Sequence, residues 1–199
     1  MGIGSMIEAI DRASSKLGHA VAWLALAMVL LQFSVVVLRY VFAIGFIPMQ
    51  EAVWHLHGLL FMLGASYTLL VDGHVRVDII YRTATARQKA LTDLAGCILF
   101  IFPVCLLTLY ASWDFVLDAI YDFRNGKWVL ETSPEFGGLP LIWAYKLVIW
   151  VFAVSVFAQA VSLAAKAGSF LLGLSKVYPD RQNAVGTLPS WIQRRRFAF

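Results

Sequence analysis

The chain has 199 residues, of which 60% are hydrophobic and only 14% are charged. This composition lies outside the range of soluble globular domains, so we expect an all-α membrane protein with no nucleic-acid partner. The formal net charge of +4 is modest, and the placement of the charges along the chain tells more than their sum.

The N-terminal segment, residues 1–18, is predicted to be a short amphipathic helix in the membrane interface. Apolar residues from Met6 to Leu17 recur at helical spacing among charged ones. A frayed polar terminus is the alternative. The first spanning helix is predicted over 19–42. Its apolar run is too long for the hydrophobic region of a signal peptide, so we expect it to remain as a signal anchor.

The second spanning helix is predicted over 50–71. From Ala52 to Val71 there is no Asp, Glu, Lys or Arg, which is about the length that a helix needs to cross a bilayer. The run is apolar nearly all round, which indicates lipid or protein on every side. Pro48 suits the first turn, and the short loop before it predicts an antiparallel hairpin with the first span.

The third spanning helix is predicted over 88–113, with a kink at Pro103. On a helix its two cysteines, Cys97 and Cys105, would lie about 12 Å apart, too far for a disulfide, so we expect buried free thiols. The fourth helix is predicted over 140–172, completing a transmembrane domain over 19–173. A basic tail over 174–199 follows.

The basic residues predict that both termini are cytoplasmic. With four spans, twelve Lys and Arg fall on the side of the termini and three on the other side, and basic residues accumulate in cytoplasmic loops. The twelve are Arg12, Lys16, Arg76, Arg82, Arg87, Lys89, Lys166, Lys176, Arg181, Arg194, Arg195 and Arg196. The three are Arg39, Arg124 and Lys127, and Lys146 lies just inside the fourth helix, where it can extend to the outer interface.

No cofactor, metal or catalytic site is predicted. Glu51, His55 and His57 resemble metal ligands, but the two histidines point about 160° apart on a helix and cannot close one site. A haem held by His19 and His74 is a rival possibility, in a membrane anchor subunit of a respiratory complex that binds haem or quinone. No Ser/His/Asp set, Walker loop or paired-carboxylate site stands out, so we do not expect an enzyme. Too few ionisable residues lie mid-membrane for a transport path in this chain alone, so we expect a subunit.

Two polar patterns are candidate interaction sites. Four polar residues on the fourth helix form one stripe, which should face protein, either this chain or another one, and our hypothesis is that it contacts a larger subunit. They are Ser155, Gln159, Ser162 and Lys166. Three aspartates beyond the third span, Asp114, Asp118 and Asp122, are predicted to share one helix face. They form either a solvated surface or a docking rim for a basic partner.

Several motifs occur in an order and spacing that resemble the small membrane subunit of tripartite ATP-independent periplasmic (TRAP) transporters, the DctQ-like family. Val37 to Phe42, with Arg39 and Tyr40, resembles V-x-R-Y-x-F. Glu51 opens the second helix at the expected offset. Gly73 to Asp78, with His74 and Arg76, resembles G-x-H-V-x-V-D, and Leu139-Pro140 opens the last helix.

The resemblance implies a non-catalytic scaffold in the bacterial inner membrane. Its partners would be a large membrane subunit, which moves substrate and coupling ion, and a periplasmic binding protein that delivers an organic acid. Arg39 and Glu51 are expected to pair at the outer interface. The cluster of Asp72, His74, Arg76 and Asp78 is expected to fix the inner end of the second helix, or to be a simple loop with capping residues.

Overall fold

The computed structural model describes residues 3–74, 84–123 and 125–174, and in these ranges the chain is mostly helical. Four helices of the described chain are long and apolar enough to cross a membrane: Gly4–Val41, Ile47–Leu70, Ala86–Ala111 and Ile142–Leu171. They agree with the four predicted spans. The all-α membrane class is therefore confirmed.

The first helix, α1, runs without interruption over Ile3–Val41. Its 39 residues extend about 58 Å, well beyond a hydrocarbon core of about 30 Å. The predicted N-terminal helix exists, but it is the first part of α1 and not a separate element. Gly18 allows α1 to pack closely on the second helix, because the Tyr67 ring lies where the Cβ of a larger residue would be.

The second helix, α2, covers Ile47–Leu70 and begins with Pro48 in its first turn, as predicted. Its end is closed by backbone geometry. Asp72 has a left-handed φ of 59°, and the Gly73 N–H donates to the Thr68 carbonyl at 2.9 Å. This is the Schellman arrangement, in which the residues after a helix satisfy its last carbonyls.

The third span combines α3 (Ala86–Gly96), a π-helical turn (Cys97–Ile101) and α4 (Phe102–Ala111). Thr85 and Gln88 form a capping box at its start. Pro103 was predicted to kink the span, and the wide π turn lies immediately before it. Pro103 has no N–H to donate to the Leu99 carbonyl, so one helical hydrogen bond is missing here. The π-helical turn, with its wider hydrogen-bond spacing, lies beside this missing bond.

A long loop with local structure follows the third span. The short helix α5 covers Trp113–Leu117, and β1 (Tyr121–Asp122) pairs antiparallel with β2 (Lys127–Trp128). The sequence did not predict this hairpin. The expectation that Asp114, Asp118 and Asp122 share one helix face is therefore wrong, because the helix ends after Leu117 and Asp122 belongs to β1.

The last helix, α6, covers Ile142–Leu171 and is the central element of the described chain, because it contacts α1, α2 and the third span. Its residues Ala160 and Leu163 form a small core with Leu69 and Cys97. Cys97 and Cys105 are buried free thiols, as predicted. Gly173, with a φ of 75°, ends α6 at the expected position.

Candidate functional site

Glu51 anchors the long loop to the start of α2. Its side chain is buried, at 3% exposure, and its carboxylate accepts hydrogen bonds from the Ser133 hydroxyl and, at 2.6 Å, from the Leu139 N–H. We refer to this end of the bundle as the Glu51 end. The predicted pairing with Arg39 is not observed, because Arg39 is exposed and the carboxylate is directed to the loop.

A second contact fixes the same loop to α6. The Lys146 ammonium lies 2.5 Å from a Glu131 carboxylate oxygen and 4.0 Å from the centre of the Phe115 ring. The Trp143 N–H also donates to the Glu131 carbonyl at 3.3 Å. Lys146, expected only to extend to the interface, therefore bonds both an anion and an aromatic face, two favourable partners for an ammonium group.

The acidic residues of this end have different roles. Asp122 accepts from the Asn125 N–H at 3.2 Å and from the Asn125 side-chain amide at 2.6 Å, so it stabilises the turn of the β-hairpin. Asp114 and Asp118 are exposed. The three aspartates thus divide into one turn residue and two surface carboxylates, and only the surface pair is available as a docking rim.

The polar stripe of α6 is occupied by this chain itself. The Asp11 carboxylate, on α1, accepts from Gln159 at 3.1 Å, from Ser162 at 2.7 Å and from the Lys166 ammonium. The Ser14 hydroxyl also donates to the Gln159 side-chain oxygen at 2.7 Å. In the described chain the partner of Gln159, Ser162 and Lys166 is therefore Asp11 of α1, and contact of the stripe with a larger subunit stays a prediction.

Ser155, the fourth residue of the stripe, donates at 3.0 Å to the Phe152 carbonyl of its own helix. The contacts of Asp11 bring the start of α1 and the end of α6 together, and we refer to this as the Asp11 end of the bundle. The sequence did not single out Asp11, Ser14 or Ser133. Each is a short polar residue near a helix end or in a loop, and no spacing links it to its distant partner.

The remaining motif residues are only partly described. Arg39 and Tyr40 are exposed at the end of α1, and Gly73 completes the end of α2 described above. His74 is exposed. Arg76 and Asp78 lie outside the described residues, as does the basic tail after Leu174. The inner-loop cluster therefore stays a prediction.

The histidines make local contacts in the described chain. The His19 ring donates from Nδ1 to the Ser15 carbonyl at 2.7 Å and lies edge-on to Tyr67. His55 bonds the Glu51 carbonyl in the same way and packs against Tyr145, at 4.7 Å between ring centres. His57 stacks on Phe61. Within the described residues, no three His, Cys, Asp or Glu side chains form a metal-binding group.

Large apolar side chains cover the outside of the helices. On α1, Trp23, Leu30 and Phe33 are mostly exposed, and on the third span Leu99 and Leu107 are similarly open. Soluble proteins rarely expose continuous apolar surfaces of this kind. Such faces are suited to contact with lipid or with apolar helices of another subunit.

Comparison with known proteins identifies the family. A family model described as tripartite ATP-independent periplasmic transporters, DctQ component, matches residues 28–168. The C4-dicarboxylate TRAP transporter small permease protein DctQ of Vibrio cholerae serotype O1 is 33% identical over 98 residues, which cover 45% of this chain and only 38% of that relative. No solved structure matches the chain.

The family match favours a transporter component over the rival haem- or quinone-binding anchor. It covers well over half of the chain, including all of α2, the third span and the long loop. This multi-pass membrane protein therefore belongs to the DctQ component family of the tripartite ATP-independent periplasmic transporters.

Proposed function

We propose that this chain is the small, non-catalytic membrane subunit of a TRAP transporter in a bacterial inner membrane. It scaffolds a large permease subunit, which takes up an organic acid that a periplasmic binding protein delivers. An ion gradient drives this uptake. The proposal rests on the family match together with one structural observation, the large apolar side chains that are exposed along the spanning helices of the described chain.

The polar contacts of the described chain support a scaffold. At one end Asp11 connects α1 to α6, and at the opposite end Glu51 connects α2 to the long loop. Between these ends the described spans carry few ionisable groups, chiefly His55 and His57 near one end. A carrier needs polar groups near the middle of the bilayer to bind substrate and coupling ion, so a transport path fits the larger partner better.

The proposed orientation places the Asp11 end in the cytoplasm and the Glu51 end in the periplasm. The distribution of Lys and Arg supports this direction. Asp114 and Asp118 would then face the compartment of the binding protein. Exposed carboxylates can attract a basic surface on such a partner and speed its encounter with the membrane complex.

Uptake by purified components tests the proposal. Proteoliposomes would contain the large subunit with or without this chain, and labelled organic acids, including a C4-dicarboxylate, would be supplied with the binding protein. We expect uptake only with all three proteins and an imposed ion gradient, and an ionophore should abolish it. Uptake by this chain alone, or full uptake without it, would contradict the scaffold role.

A further inference from the structure

A groove in the described chain lies between α2, the third span and α6. Its volume is about 650 Å³, and its apolar wall includes Leu69, Cys97, Phe100 and Val156. The third span packs on α6 far more than on α2, which leaves the groove open along one side. Phe100 on that side is 69% exposed. For this chain alone in a bilayer, the open side would face the lipid chains.

The length of the groove corresponds to one leaflet. Its apolar part on the third span extends from Gly96 to Cys105, which is about 14 Å along a helix. A hydrocarbon core about 30 Å thick gives about 15 Å per leaflet. The uncharged part of this span, 94–111, has its middle near Pro103, so the groove ends close to the bilayer centre.

Polar groups mark the other end of the groove. His74, Thr92 and Asp93 line it there, where α2 ends and the third span begins. Lys89 lies one helical turn before Asp93 on the same face. An acidic and a basic side chain at headgroup depth match a headgroup that carries both an ammonium group and a phosphate.

We propose that this groove binds one phospholipid with an amine headgroup, such as phosphatidylethanolamine. One acyl chain lies along Leu69, Cys97 and Phe100, and the headgroup ammonium lies beside Asp93. A partner helix is the less suitable occupant, because a spanning helix needs contact over about 30 Å and this groove offers about half of that length. The site does not depend on the proposed transporter role, since this chain supplies all of its walls.

A groove-filling variant with a matched control tests the site. Gly96 lines the groove, and a Cβ added there meets no atom within 4 Å, so Gly96→Leu places its side chain in the open space. Ala95→Leu introduces the same side chain at the neighbouring exposed position, which is not part of the groove wall. Leucine at either position favours the helix, so both variants should fold.

The measurement is native mass spectrometry of the full chain after reconstitution into nanodiscs of phosphatidylethanolamine mixed with phosphatidylglycerol. We expect one retained phosphatidylethanolamine in the wild type and in Ala95→Leu, and its loss in Gly96→Leu. Retention in Gly96→Leu, or equal loss in Ala95→Leu, would overturn the proposal. Loss of the lipid on adding the large subunit would show that a partner helix takes the groove, and would overturn it too.

Asp93→Asn gives a second test that does not depend on filling the groove. The wild type should retain phosphatidylethanolamine about 1.5- to fivefold over phosphatidylglycerol, the size of a solvent-accessible ion pair. In Asp93→Asn this preference should disappear while total lipid retention persists. An unchanged preference, or a wild type that retains both lipids equally, would contradict the headgroup assignment.

Discussion

At the scale of single residues, two carboxylates hold the ends of the bundle together. A buried carboxylate is costly unless donors surround it, and Glu51 receives one hydroxyl and one backbone donor. Asp11 receives three donors from α6, including an ammonium group. Each residue links segments that are far apart in the sequence, so each contributes to tertiary structure and not only to a local helix end.

Replacing Glu51 with Ala should loosen the long loop. The variant leaves the Leu139 N–H and the Ser133 hydroxyl without their partner, which we expect to lower the free energy of unfolding by about 1.5–3 kcal/mol. Thermal unfolding in detergent measures the stability, and limited proteolysis measures cleavage within 131–139. Glu135→Ala, at an exposed position of the same loop, is the control. If both variants behave alike, Glu51 does not anchor the loop.

The Asp11 contacts predict a measurable coupling between α1 and α6. We expect Asp11→Ala and Lys166→Met each to lower the free energy of unfolding. The double variant should lose less stability than the sum of the two single losses, with a coupling energy of about 0.5–3 kcal/mol. The measurement is a double-mutant cycle from thermal or denaturant unfolding in detergent. Glu8→Ala, at an exposed position one turn earlier, should have little effect. Additive losses in the cycle would mean that the two side chains act independently.

At the scale of elements, the helices pack closely where glycine allows it. Gly58 of α2 faces Tyr145 of α6, and Gly18 of α1 faces Tyr67 of α2, with the rings where glycine side chains would be. Small residues permit such close helix contacts inside membranes, where apolar burial gives no driving force between helices. The two pairs fix the spacing of the three helices that share them.

Gly58→Ala should therefore weaken the packing of α2 on α6. The added Cβ overlaps the Tyr145 ring, and overpacking of this kind costs about 1–3 kcal/mol. Thermal unfolding is the measurement, and Tyr145→Leu in the same chain should restore part of the loss by vacating the space. Gly168→Ala, where an added Cβ meets no atom, is the control. A Gly58→Ala protein as stable as the control would refute the close contact.

The sequence predicted the elements better than their contacts. Length and hydropathy located the four spans, and Pro48, Pro103 and Gly173 marked real features of the helices, because these signals are local. The β-hairpin was missed because each strand has only two residues. The stripe of α6 was correctly expected to face protein, but its partner is Asp11, about 150 residues away, and helical periodicity does not identify a partner.

The long loop carries the proposed docking surface, reduced by the structure to Asp114 and Asp118. Neutralising both to Asn should slow uptake at limiting binding protein and low salt, because encounter with a basic surface is weakened. Saturating binding protein should restore the rate. Asp122→Asn serves as the contrasting variant, because it changes the turn of the β-hairpin and leaves the exposed pair Asp114 and Asp118 intact. If uptake by the double variant matches wild type at limiting binding protein and low salt, the pair is only a solvated surface.

At the scale of the whole molecule, four helices form an open arrangement around α6. The described ion pairs and the hydrogen bonds of Asp11 and Glu51 lie toward the two ends, and the middle of the bundle presents mostly apolar side chains to its surroundings. The described residues form only a small internal core, so a partner that covers some of these faces would add considerably to the stability of the chain. This is the physical basis for proposing a subunit and not an independent carrier.

Affinity purification of the tagged chain from the membranes of the cells that produce it tests the central claim most directly. The complex would be extracted in mild detergent, and its composition and mass determined by native mass spectrometry. The account predicts one dominant complex with a large multi-span permease in a fixed ratio. The account would be contradicted if the chain were recovered alone from cells whose binding-protein-dependent uptake is intact and requires this chain.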